Sequence, residues 1–102
     1  MTAGKGIVHS EMFPLVNTEK RNPTNFFQLW LNLPSNQKMV KPSFKMFWNE
    51  EIPRINIQNE RGQRSVITVI AGELNGVSPP SPPTDSWASR PNSEVAIWLI
   101  DL

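Results

Sequence analysis

Prolines and glycines cut this chain into runs too short for a long helix and of the right length for strands. Ten prolines and five glycines stand among 102 residues, and a proline removes an amide donor and restricts the residue before it. The run at 26–33, FFQLWLNL, stops at Pro34, and the run at 6–12, GIVHSEM, lies between Gly4 and Pro14. In the former, Phe27, Leu29, Leu31 and Leu33 alternate with Gln28, Trp30 and Asn32, the period of two that turns one strand face to a core. Residues 65–71, SVITVIA, are rich in β-branched side chains and close at Gly72. Residues 94–102, EVAIWLIDL, are apolar almost throughout, as in a strand covered on both faces or one whose second cover is missing. A weaker strand is expected at 52–57, where Pro53 demotes it to an edge. Only residues 43–49 suit a helix, about two turns long, with Ser43 as its cap and Phe44, Phe47 and Trp48 on one face. The stretch SPPSPP at 78–83 cannot continue a sheet ladder and is expected to form an extended linker.

Length and charge narrow the function classes. A chain of 102 residues is one domain or a piece of one, and its last apolar segment ends in mid-pattern at Leu102, which suggests a cut or a strand that docks elsewhere. Ten basic residues face nine acidic ones, for a net charge of +1, so no surface for nucleic acid or anionic membrane is expected from bulk charge. With no cysteine, disulfides, thiolate metal sites and cysteine nucleophiles are excluded. Neither a leader-like apolar segment nor a run of about 20 apolar residues occurs. The expectation is a soluble, cytoplasmic protein, or a nuclear one in a eukaryote.

The one histidine, His9, stands two residues before Glu11. On a strand, positions i and i+2 project from the same face, so imidazole and carboxylate can converge on one ion; iron, manganese, zinc and copper all suit such donors. Two ligands rarely suffice, and on spacing alone the pair reads more readily as an exposed histidine beside a solvated glutamate. Other chemistry falls away. Ser10 and His9 face opposite ways on a strand, and neither Ser10 nor Ser86, with Asp85, sits in a nucleophile elbow. Glu50, Glu51 and Glu60 lie in polar, loop-like sequence, and the Gly72 to Gly76 segment lacks a phosphate-cradle pattern. The overlapping P-x-x-P at 79–83 reads either as a docking ligand or as a stiff connector. Trp30, Trp48, Trp87 and Trp98 are spread over separate elements, which favours packing over a stacking site.

Taken in order, TAGKGIVHSEMF, FQLWLNLPSNQKMVKPSF, NEEIPRI, VITVIAGELNGVSPPSPPTDSWA and NSEVAIWLIDL closely resemble the middle of pirin-family proteins. The resemblance implies an all-β fold of the cupin superfamily, a double-stranded β-helix or jelly roll, present here as an incomplete barrel with one short helix. It implies a partial N-terminal cupin at 1–77, a Pro-rich linker at 78–93, and the first strand of the C-terminal cupin at 94–102. In the family three histidines and one glutamate hold a metal, usually iron. The H-S-E motif maps onto His9 and Glu11 as metal ligands, with Glu11 also the candidate catalytic base. The other two histidines belong to an upstream H-P-H-type motif that this sequence lacks. Family members include quercetin 2,3-dioxygenases and transcriptional cofactors. The expected function is accordingly a pirin-like, partial metal-binding cupin, inactive in this form, with a non-enzymatic interaction protein as the alternative. Iron or another divalent metal is the implied cofactor. A flavonoid-like small molecule in full-length relatives, a protein partner, and a second copy at open strand edges are the implied partners. Two departures bear on the loop before the second run: phenylalanine replaces a usual glycine before QLW, and residues 13–25 are unusual for the family.

Overall fold

Alternation and turn chemistry assemble one sheet in the computed structural model, which describes residues 1–102. Its strands are β1 (Arg54–Gln58), β2 (Arg64–Ala71) and β3 (Ile97–Asp101), all antiparallel and ordered β1-β2-β3. The fold is all-β. Its only helical elements are single 3₁₀ turns at Ser35–Gln37, Asn49–Glu51 and Trp87–Ser89.

The hairpin between β1 and β2 is closed by Asn59 and Gly62. The Asn59 amide donates to the Gln63 carbonyl, while its side-chain oxygen accepts from the Arg61 and Gln63 amides, each at 3.0 Å. Gly62 takes φ +78°, a left-handed conformation that glycine adopts at no steric cost. The resulting register sets Ile55 opposite Ile67 and Ile57 opposite Ser65. On its other side β2 sets Ile67 opposite Ile100 and Val69 opposite Trp98. Because directly opposed residues share a face, Ile55, Ile57, Ile67, Val69, Trp98 and Ile100 form one apolar face. Arg54, Asn56, Gln58, Arg64 and Asp101 fall on the other. Val69 is the one fully buried apolar side chain.

At the end of β2 the pairing shifts by one residue between Val69 and Ala71, and Gly72 follows at φ +74°. A Cβ there would lie 2.9 Å from both the Ala96 Cβ and the Val95 carbonyl, so this position requires glycine for close approach as well as for conformation. The connection from β2 to β3 opens with a turn closed by the Leu74–Val77 bridge, continues through the proline-rich segment and then folds on its serines. The Ser86 amide donates to the Pro83 carbonyl at 2.9 Å, and the Ser89 hydroxyl donates to the Thr84 and Ser86 carbonyls. Lys45 Nζ donates to the Ser81 carbonyl at 3.2 Å and sits 5.1 Å above the Phe47 ring, fastening this connection to the chain ahead of β1.

Two expectations are corrected. The helix at 43–49 does not form: Ser43 pairs in an antiparallel bridge with Thr2, its amide donating to the Thr2 carbonyl at 3.0 Å and its carbonyl accepting at 2.8 Å. A two-turn helix carries a high nucleation cost for few internal bonds, and the bridge fixes the segment's start in extended form. Residues 6–12 and 26–33 form no strands, because no backbone-to-backbone hydrogen bond reaches residues 7–33. A strand exists only with a partner. Without one, Phe27 and Trp30, on opposite sides of the alternating pattern, stand 75% and 87% exposed.

The molecule is consequently open. It measures 49 × 40 × 20 Å with a radius of gyration of 16.7 Å, where a compact chain of this length has about 13 Å. It exposes 9065 Å², against about 5,800 Å² for a compact monomer of 11.6 kDa. No helix is long and apolar enough to cross a membrane.

Candidate metal half-site

His9 and Glu11 are positioned from the N-terminal side by a backbone anchor. Thr2 is held in its bridge to Ser43, and the Lys5 amide donates to the Val40 carbonyl at 3.0 Å. Between them Gly4 turns at φ +53°, so close to Val40 that a Cβ would strike its carbonyl oxygen. The first glycine of the Thr2-Ala3-Gly4 motif is therefore a steric requirement of docking. The Gly6 amide then donates to the Ala3 carbonyl at 3.0 Å, closing the turn that sends the chain toward His9.

On the far side, the loop after Glu11 closes on an asparagine pair. The Asn17 amide donates to Asn22 Oδ1 at 2.9 Å, and Asn22 Nδ2 returns to the Asn17 carbonyl at 2.7 Å. This closure brings Phe13 against Phe26 edge to face, with ring centroids 5.7 Å apart at 81°, a favoured aromatic arrangement. Glu11 lines a shallow depression of about 380 Å³ with Phe13, Thr24, Phe26 and Gln28. Thr24, Phe26 and Gln28 are neighbours of the site that the motif spacing does not reveal; the only signal for them is the Asn17/Asn22 pair, and it becomes readable with coordinates.

His9 Nε2 lies 3.7 Å from Glu11 Oε1. That exceeds a hydrogen bond but falls within the span of two metal bonds of about 2.1 Å each. The two side chains are 40% and 51% exposed, so solvent reaches both. The structure thus brings the two expected donors together, although their segment is not a paired strand. No third histidine, cysteine or carboxylate joins them, as no group of three such residues occurs in the chain. A full coordination sphere takes three or four protein ligands, and these residues do not complete one.

The other singled-out residues lie elsewhere. Glu51 accepts from the Trp48 amide at 2.9 Å and serves its 3₁₀ turn. Pro79, Pro80, Pro82 and Pro83 are half-buried along a separate cleft of about 520 Å³ that includes Phe47 and Ser86, which fits a connector. The hydroxyls of Ser43 and Ser86 are buried without a partner.

Comparison with known proteins decides the family. A pirin-like protein of Arabidopsis thaliana is 46% identical over 77 residues, which is 76% of this chain and 23% of the relative. Human pirin is 39% identical over 77 residues, again 76% of this chain and 23% of its own length. This chain is a pirin-family segment. A further relative, from Thermoplasma acidophilum, bears the name "Putative quercetin 2,3-dioxygenase Ta0133" and is 40% identical over 85 residues, 76% of this chain and 31% of that protein. The pirin segment spans between 23% and 31% of the length of these relatives. No family model and no solved structure matches it.

Proposed function

We propose that this chain carries half of a pirin-type metal site, with His9 and Glu11 as two of its ligands and Glu11 as the base that would act on a substrate. The observation that carries the reading is the 3.7 Å approach of His9 Nε2 to Glu11 Oε1 within a pirin-family segment. Iron is the metal proposed, other divalent ions sharing the donor preference. The metal's contribution when bound would be Lewis-acid and redox chemistry; the chain's own part is to hold one nitrogen and one carboxylate oxygen at a common point. The relative named for quercetin 2,3-dioxygenase activity supports a flavonoid-like substrate for the whole protein. In the same reading residues 1–77 belong to an N-terminal cupin, 78–93 to a linker and 94–102 to the start of the second cupin, and the protein works in the cytoplasm or nucleus. With two donors, the 102-residue chain binds metal weakly and turns over no quercetin.

Calorimetric titration of the purified chain with Fe(II) under argon tests this. Weak uptake is expected, reduced about tenfold or more by His9→Ala or Glu11→Ala, equivalent to at least about 1.4 kcal/mol. Tight stoichiometric binding with quercetin turnover would overturn the half-site reading, and so would uptake indifferent to both substitutions. A second reading, an interaction segment without catalysis, is favoured by the exposed Phe27, Leu29, Trp30 and Leu31. Under that reading a partner's affinity is unchanged by His9→Ala.

A further inference from the structure

The proline-rich segment between β2 and β3 carries a row of hydroxyls that neither the sheet nor the half-site uses. Along Ser78-Pro79-Pro80-Ser81-Pro82-Pro83-Thr84 the three hydroxyl residues are exposed and the four prolines are half-buried. That repeat of three is the period of a polyproline helix, in which residues i and i+3 share an edge about 9 Å apart. The prolines line the cleft that includes Phe47 and Ser86, and Ser81 borders it while remaining exposed. Both flanks are held within the chain: the Leu74–Val77 bridge precedes the segment, and the Ser86 amide donates to the Pro83 carbonyl at 2.9 Å behind it. Four of the six residues 78–83 are prolines, so the segment has too few amide donors for a strand to pair along it in a ladder. The outward hydroxyl edge is therefore set by the segment's own sequence.

We propose that Ser81 is a phosphorylation site for a proline-directed protein kinase, and that Lys45 receives the phosphate. Of the three hydroxyls, Thr84 is followed by Asp85 rather than proline, and its carbonyl is taken by the Ser89 hydroxyl. Ser78 precedes a proline but donates to Glu73 Oε2 at 3.2 Å, so a phosphate there would face a carboxylate. Ser81 precedes Pro82, is exposed, and has a cation at hand: Lys45 Nζ lies 3.2 Å from its carbonyl oxygen. Pro82 holds Ser81 in extended backbone, the form in which a kinase cleft takes up a peptide, and offers no amide that the cleft must satisfy. In the transfer the bond from Ser81 Oγ to phosphorus forms as the bridging bond between the β- and γ-phosphates of Mg-ATP breaks. The hydroxyl proton passes to the kinase's catalytic carboxylate, and ADP leaves. The product carries a charge of about −1.5 to −2 beside an ammonium already seated over the Phe47 ring, so modification fastens the proline-rich segment more firmly to the chain ahead of β1.

Incubation of the whole chain with a proline-directed kinase and Mg-ATP, followed by phosphopeptide mass spectrometry, reads the site. Ser81 is expected to be modified at least about fivefold faster than Ser78, which faces Glu73, and Ser81→Ala should remove most of the incorporated phosphate. Phosphorus NMR titration of the product then reads the partner. The phosphoserine's second ionisation, ordinarily near pH 6, should shift to lower pH in the native chain, because an adjacent cation favours the dianion. It should return toward 6 in Lys45→Ala and stay lowered in Lys45→Arg. No incorporation at Ser81, equal modification of Ser78 and Ser81, or an ionisation indifferent to Lys45→Ala would each overturn the proposal.

Discussion

Gly4 shows how one residue governs the placement of the His9–Glu11 pair. Its left-handed φ and its contact with the Val40 carbonyl are both forbidden to a side chain, so Gly4→Ala must either displace residues 38–42 or release the N-terminal segment. The expected outcome is loss of the Thr2–Ser43 bridge, read as roughly tenfold faster hydrogen exchange at the Thr2 and Ser43 amides, with β2 amides unchanged. The pairing of His9 with Glu11 was legible in the H-x-E spacing, since the two atoms do approach each other. Its backbone context was not: i and i+2 geometry was inferred for a strand, yet the approach occurs in a segment with no ladder. Thr24 and Gln28 were invisible, because they reach Glu11's surroundings only through a loop closed by side chain to backbone hydrogen bonds.

At the level of elements, the hairpin is the part of the molecule with the most local support. Asn59 and Gly62 satisfy the turn, and Val69 packs fully buried next door on β2. Gly62→Ala is expected to cost about 1–2 kcal/mol, from forcing a side chain into the left-handed region. Val69→Ala should cost about 2 kcal/mol, from lost burial and the cavity left behind. Urea unfolding followed by tryptophan fluorescence would show both as lower midpoints, and an unchanged midpoint for Gly62→Ala would mean the turn is formed otherwise. Residues 65–71, 94–102 and 52–57 were legible as strands because β-branched content and alternation act locally, and their partners lie within the chain. Residues 26–33 carry an equally clear alternation, but pattern specifies a face, and a ladder needs a second chain segment to receive it. The 43–49 helix failed for the complementary reason: apolar spacing suited it, while a long-range bridge to Thr2 took the backbone of Ser43.

The whole molecule is a slab only 20 Å through its thinnest dimension. Nearly every side chain is within reach of water on one side or the other, which explains why an all-β class was readable from sequence while the depth of the core was not: core depth depends on which layers are stacked, and one sheet alone supplies a face without a lid. That thinness has a thermal consequence. Unfolding this chain exposes less new apolar surface than unfolding a compact domain of the same length, so its heat-capacity increment should be about 1 kcal/mol/K, against about 1.4 for a compact domain. Scanning calorimetry of the chain would check the value. With so shallow a curvature, the stability of the sheet varies gently with temperature: warming melts it over a broad range, and cooling neither rescues nor unfolds it sharply.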